Sequence, residues 1–391
     1  MKPYNYQLLF LLLGAISLSC SKEVKEEESG PVSLTPHIAG ISLTRAGIDA
    51  ADKVDAIGFY AVNQDKTDNT YGTWPAGKYG KFTGNTSGGH TTFAPATDQD
   101  ILWLDPDKSA IIFSCYPAPT NGASDIVDAS TLNEDGTAII STETNTPATT
   151  ITAPVPVIPV PTTVFSLSPT FPTNGNFDFT LPANDYMYGV AYDNSNPNAE
   201  ESTKYKSTQP VANGMRSGGT VNTSGPVVAI GLKHAFSQIK LIIKKGTSYP
   251  GTATRVTEVK YTRKMNTLTA NTKMKLTDGT FLGITSKNDA AYTYNLKSAQ
   301  NSNEGFELTS AESSNLTITN YALPCVAAKS VIGLTVDGKE MTIEYAEDPL
   351  WNAGKIYTYA VTINGTGLAF SGVSVVDWDD DGNNNSSSGT L

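Results

Sequence analysis

The chain has little of what catalysis and metal binding usually draw on. Its 391 residues include three cysteines (Cys20, Cys115, Cys325) and three histidines (His37, His90, His234). The cysteine spacing matches no metal motif. A disulfide between Cys115 and Cys325 would have to join two halves of the molecule, and both are read instead as buried free thiols that pack as small hydrophobes. Arginine is scarce and the formal net charge is −11. A chain without clustered cations cannot neutralise a phosphate backbone, which excludes nucleic acid as a partner. The acidic excess serves solubility. No apolar run approaches the roughly 20 residues of a membrane-spanning helix. Apolar spacing of the helical kind is rare, and no Gly-rich phosphate loop follows a strand.

Chemistry is correspondingly thin. His234 beside Ser237 reads as a packed strand residue, and no Ser/His/Asp set is recognisable. Asp377, Asp379 and Asp381 open like a calcium loop, but the twelfth position is Ser388 where a bidentate glutamate is needed. Trp74, Trp103 and Trp351 are candidates for a sugar-binding surface, although tryptophans in β-sandwiches more often fill cores. The expectation is no catalytic residue, no cofactor and no metal.

What is present begins at the N-terminus. Lys2 precedes the apolar run LLFLLLGAI at 8–16, which fits the h-region of a secretory signal. Residues 1–20 read as a lipoprotein signal with Cys20 as the lipidation site. Ser21 after the cysteine favours the outer membrane. Glu23, Glu26, Glu27 and Glu28 form an acidic patch of the kind that exports surface lipoproteins. Residues 21–45 read as a propeptide that closes with an alternating stretch, HIAGISLTR at 37–45. Ala39, Ile41 and Leu43 are its apolar positions, and such a strand buries one face. At about 1.5–3 kcal/mol per large side chain, Ile41 and Leu43 represent about 3–6 kcal/mol of burial. Lys2, Lys22, Lys25 and Arg45 balance the four glutamates, so removing 1–45 leaves the charge at −11.

The body alternates apolar and polar residues with a period of two, the mark of half-buried strands. Examples are IGFYA at 57–61, Ile239, Leu241 and Ile243, and the run Ile332, Leu334, Val336. Asp337-Gly338 between two alternating runs predicts a hairpin, and Asp278-Gly279 predicts another turn. Tyr357, Tyr359, Val361 and Ile363 lead into a turn at 364–367 and a return strand. The Pro/Thr-rich stretch 141–177 reads as an extended surface loop, because proline cannot donate to a sheet ladder. A polar stretch at 191–227 separates two halves large enough for their own cores. These are 46–224, carrying the 141–177 insertion, and 225–391, ending in an acidic polar tail.

Several ordered motifs together resemble the fimbrillin family, the Mfa-like subunits of type V pili. They are IGFYA at 57–61, WLDPD at 103–107 leading to IIFSCYP at 111–117, DYMYG at 185–189, LKHAFSQIK at 232–240, Leu323-Pro324, WNAGKIYTY at 351–359 and VSVVDW at 373–378. The resemblance implies an all-β fold of two transthyretin-like antiparallel β-sandwich domains in tandem. It also implies a precursor held in the cell outer membrane by lipid, then cleaved between Arg45 and Ala46 by an arginine-specific protease. Loss of the first strand would open a groove for a strand of another fimbrial subunit. Leu368, Phe370, Val373, Val375, Val376 and Trp378 form the candidate donor strand, which either donates or completes its own sheet. Expected locations are the outer membrane, the cell surface and the fimbrium, with a host or bacterial surface ligand as a further partner. The tail after Trp378 (DDDGNNNSSSGTL) departs from a polymerising stalk subunit and raises a tip or accessory role. The alternative is a lipid-anchored surface protein that binds glycans and never polymerises.

Overall fold

A computed structural model of the chain describes residues 32–41, 54–87, 90–138, 154–165, 168–170, 178–180, 185–193, 195–196, 198–213, 227–297, 304–309 and 315–378. Cys20, Leu43, Arg45, Ala46, most of 141–177 and the tail beyond Trp378 lie outside them. The described chain is built from strands, with only one short α-helix and a few 3-10 turns.

The first strands are β1 (Val32–Ser33), β2 (Thr35–Ile41), β3 (Ala56–Asn63), β4 (Gly77–Ser87), β5 (His90–Pro95), β6 (Trp103–Leu104) and β7 (Ala110–Tyr116). There follow β8 (Val127–Asp128), β9 (Pro156–Pro159), β10 (Ser168–Thr170), β11 (Asp178–Thr180), β12 (Met187–Ala191), β13 (Val211–Ala212) and β14 (Val227–His234). The last nine are β15 (Ser237–Lys245), β16 (Ala253–Lys275), β17 (Phe281–Asn295), β18 (Phe306–Thr309), β19 (Leu316–Ala322), β20 (Ala328–Val336), β21 (Lys339–Asp348), β22 (Lys355–Asn364) and β23 (Gly367–Asp377).

One sheet has the order β2-β14-β12-β7-β3-β4-β5, with β13 also on β7. After Ala235 and Phe236 the chain stays in two further sheets, to which β8–β11 already belong. One is β10-β11-β19-β15-β22-β23; the other is β21-β20-β16-β9-β8, with β17 and β18 on β16. Most pairs are antiparallel, but β2/β14, β11/β19 and β15/β22 run parallel.

Alternation explains the C-terminal core. Ile239, Leu241, Ile243, Ile332, Leu334, Val336, Tyr357, Tyr359, Val361 and Ile363 all point into one cluster. The Asp337-Gly338 hairpin forms, with φ of 47° and 76° at its two residues, the left-handed pair of a type I′ turn. In β3 the alternation hides burial of both faces. Ile57, Phe59 and Ala61 enter the N-terminal core, while Tyr60 and Val62 face a third cluster. That cluster gathers residues from all three sheets and their connections, among them Phe113, Tyr186, Phe236, Tyr321 and Trp378. Backbones also approach closely at the sheet centre: a Cβ on Gly189 would lie 1.7 Å from Ser114 Oγ.

The expectation of a surface loop at 141–177 fails over its described part. Val157, Ile158 and Val160 are buried, and β9 pairs with β16 in a C-terminal sheet. The prolines are accommodated because a sheet residue need not donate. Pro156 accepts from the Leu276 N–H (2.8 Å), while Val160 N–H donates to Thr272 O (2.9 Å).

A candidate strand-acceptor groove

Residues 32–41 occupy an edge of the molecule. β14 bonds β12 on one side and β2 on the other, so β2 covers one edge of β14. Thr35, Pro36, His37 and Ile38 lie opposite Val227, Val228, Ala229 and Ile230; Gly40 and Ile41 lie opposite Gly231 and Leu232. Ala39 falls at the register break, where β2 has one residue more than β14. Val228, Ile230 and Leu232 are buried, which places Ile38 and Ile41 opposite core positions of β14. β5, at the far end of the sheet, passes within 8 Å of β2 without pairing with it.

The same segment is held a second way. Val32 and Ser33 pair antiparallel with Leu104 and Trp103. Between the two seams Leu34 N–H donates to Leu102 O (2.7 Å), and the Leu34 side chain is 3% exposed. It belongs to the cluster containing Leu102, Leu104, Val228, Ile230 and Leu232. Leu34 carries no signal in the sequence, because Pro36 interrupts the alternation that would link it to the later apolar positions.

The candidate donor strand sits in its own subunit. β23 pairs antiparallel with β22, Tyr359 opposite Val373 and Val361 opposite Phe370. Leu368, Phe370 and Val375 pack against the C-terminal core, Val373 is part of it, and Val376 is half-buried. Trp378 is fully buried and stacks on His234 with ring centroids 4.0 Å apart, and on Tyr321 at 5.6 Å. His234 Nδ1 pairs with Asp185 Oδ2, both buried. Asp185 Oδ1 and Trp378 Nε1 are buried without a hydrogen-bond partner among the described residues. Burial, reinforced by the nearby Asp185 charge, pushes the Tyr321 hydroxyl well above its ordinary range.

The most concentrated polar chemistry lies elsewhere and is structural. Arg263 Nη1 donates to Asp348 Oδ2 (2.9 Å) and Pro349 O (3.2 Å), and Nη2 to Val326 O (2.6 Å). Its guanidinium lies 4.2 Å from the Trp351 ring. Tyr261 OH donates to Asp348 Oδ2 and Tyr359 OH to Oδ1 (2.6 Å). No sequence signal links residues so distant in the chain. Trp351 is thus core, Trp74 packs against the third cluster, and Trp103 is half exposed. They form no common sugar platform. Cys115 and Cys325 are free and buried, and burial raises the Cys115 thiol to about 12.

The chain is thus all-β, built of several sheets, with β2 covering one edge of β14. The profile of the fimbrillin-like family matches residues 44–378, and the chain belongs to that family. The chain is similar in fold to a candidate cell adhesion protein of Bacteroides uniformis, with 19% identity, a TM-score of 0.47, and 90% of this chain and 99% of that one covered. It is also similar to the fimbrial anchor protein Mfa2 of Porphyromonas gingivalis (9%, 0.32, 89% and 98%). The tip fimbrial protein Mfa3 of the same organism gives 9%, 0.34, 89% and 100%. A search of curated proteins found no match.

Proposed function

We propose that this chain is a fimbrial, adhesive surface subunit activated by loss of its first strand. It is exported under the signal of residues 1–20, lipidated on Cys20 and held at the outer membrane until an arginine-specific protease cuts between Arg45 and Ala46. Cleavage frees residues 32–41, and the edge of β14 takes a strand from a neighbouring subunit. One observation carries this reading: β2 covers the open edge of β14 and ends at Ile41, just ahead of Arg45 in the chain. Leaving that edge bare would expose ladder groups and the apolar cluster around Leu34, which drives strand addition. β23 favours an accepting over a donating role, because Val373 and Trp378 are built into the subunit's own cores. Residues 379–391 carry a single apolar residue, Leu391. Its position within the fibre is that of a stalk, tip or accessory subunit.

Limited trypsin digestion of the chain from Ser21, with N-terminal sequencing and size analysis, tests the reading. A new N-terminus at Ala46 and a cut segment replaceable by an added strand support it. Resistance at Arg45 with an intact monomeric body contradicts it and favours the lipid-anchored binding protein.

A further inference from the structure

The groove is a two-part site, and its parts differ in direction. Residues 32–33 run antiparallel to β6, and residues 35–41 run parallel to β14. Leu34 is the hinge between them, held by its N–H on Leu102 O and by burial of its side chain among Leu102, Leu104 and Val228. Resting on the strand-acceptor reading, we propose that the groove selects its incoming strand through an aliphatic anchor at the Leu34 position and through chain direction. The occupant is an extended segment of a different subunit, running parallel to β14. It carries a leucine-sized residue at the anchor and apolar residues at the Ile38 and Ile41 register positions.

Three features require this. A strand laid antiparallel to β14 would reverse its run past β6 and lose the donor aimed at Leu102 O, leaving that carbonyl beside a buried cluster. A small or charged residue at the anchor would leave a void or a desolvated charge where Leu34 now sits. A second copy of this chain is a poor source, since its β23 is paired along β22 and tethered by the buried Trp378.

The experiment uses the chain from Ser21, cut after Arg45, and fluorescein-labelled peptides with the sequence of residues 31–42. Incorporation is read by anisotropy and gel filtration under dilute urea, which speeds exchange. The native-sequence peptide is expected to exchange in. The Leu34→Ala peptide should be taken up at least ~10-fold less and the Leu34→Asp peptide not at all. A reversed-sequence peptide should fail. Equal uptake of the Leu34→Ala peptide overturns the anchor, and equal uptake of the reversed peptide overturns the direction, while both leave strand acceptance standing. Uptake of a peptide of residues 367–378 as strong as the native overturns the choice of a different subunit. Exchange of no peptide overturns the inference together with the acceptor reading.

Discussion

Replacing Asp348 by alanine should cost the chain a large share of its stability. The carboxylate is completely buried and accepts from Arg263, Tyr261 and Tyr359. Its removal leaves the Arg263 guanidinium, 2% exposed, with carbonyl partners and the Trp351 face but no counter-charge. Breaking one side of a buried ion pair costs about 3–5 kcal/mol. Against a total stability of about 5–15 kcal/mol this is a large share. With a urea slope of about 2–3 kcal/mol/M, the midpoint falls by about 1–2.5 M. Equilibrium unfolding followed by tryptophan fluorescence reads it, since Trp351 stacks on the arginine. The double variant Arg263→Met, Asp348→Leu should recover much of the loss, because the desolvated charge is gone. A loss below about 1 kcal/mol for Asp348→Ala, or a double variant worse than the single, would refute the reasoning.

Further outcomes follow from the same packing. Trp378→Ala should destabilise by about 3–5 kcal/mol through loss of a buried ring between His234 and Tyr321, and unfolding should separate into two transitions as the joint between the sheets loosens. Cys115 and Cys325 should resist a thiol reagent at pH 8 in the native protein and both react in urea, since burial raises their thiols. Retention of native reactivity toward the reagent would mean that the cores open readily. Burial also raises Tyr261, Tyr321 and Tyr359 well above their ordinary value. The folded state keeps these protons while the unfolded chain releases them near pH 10, so stability is full below that pH and falls as pH rises through it. Absorbance at 295 nm should therefore show these tyrosines ionising together with unfolding; a smooth titration of all tyrosines in a folded protein would contradict their burial.

Where one face of a strand meets one core, the sequence was readable. Ile239, Leu241 and Ile243 alternate in sequence and in burial, and Asp337-Gly338 marks its hairpin through backbone angles that few other residue pairs accept. Strands that meet two cores were not readable in this way. β3 is buried throughout because its second face meets the third cluster, a contact set by assembly and not by local pattern. β9 was hidden by its prolines, whose missing donors matter only where the ladder requires an N–H. Arg263 and Asp348 carry no local signature of their pairing. The groove was half legible. The alternating stretch before Arg45 drew attention to β2, but Leu34 and the seam on β6 depend on a neighbour, Leu102, far along the chain.

If the proposed activation is right, residues 32–41 are a replaceable cover for β14. Deuterium uptake across residues 227–232 tests it most directly, measured on the intact protein, on protein cut after Arg45 with the segment exchanged out, and on the same protein loaded with a fresh strand. A replaceable cover gives slow uptake, then fast uptake on the edge that faced β2, then slow uptake again. Uptake in 227–232 unchanged by loss of the segment would contradict it.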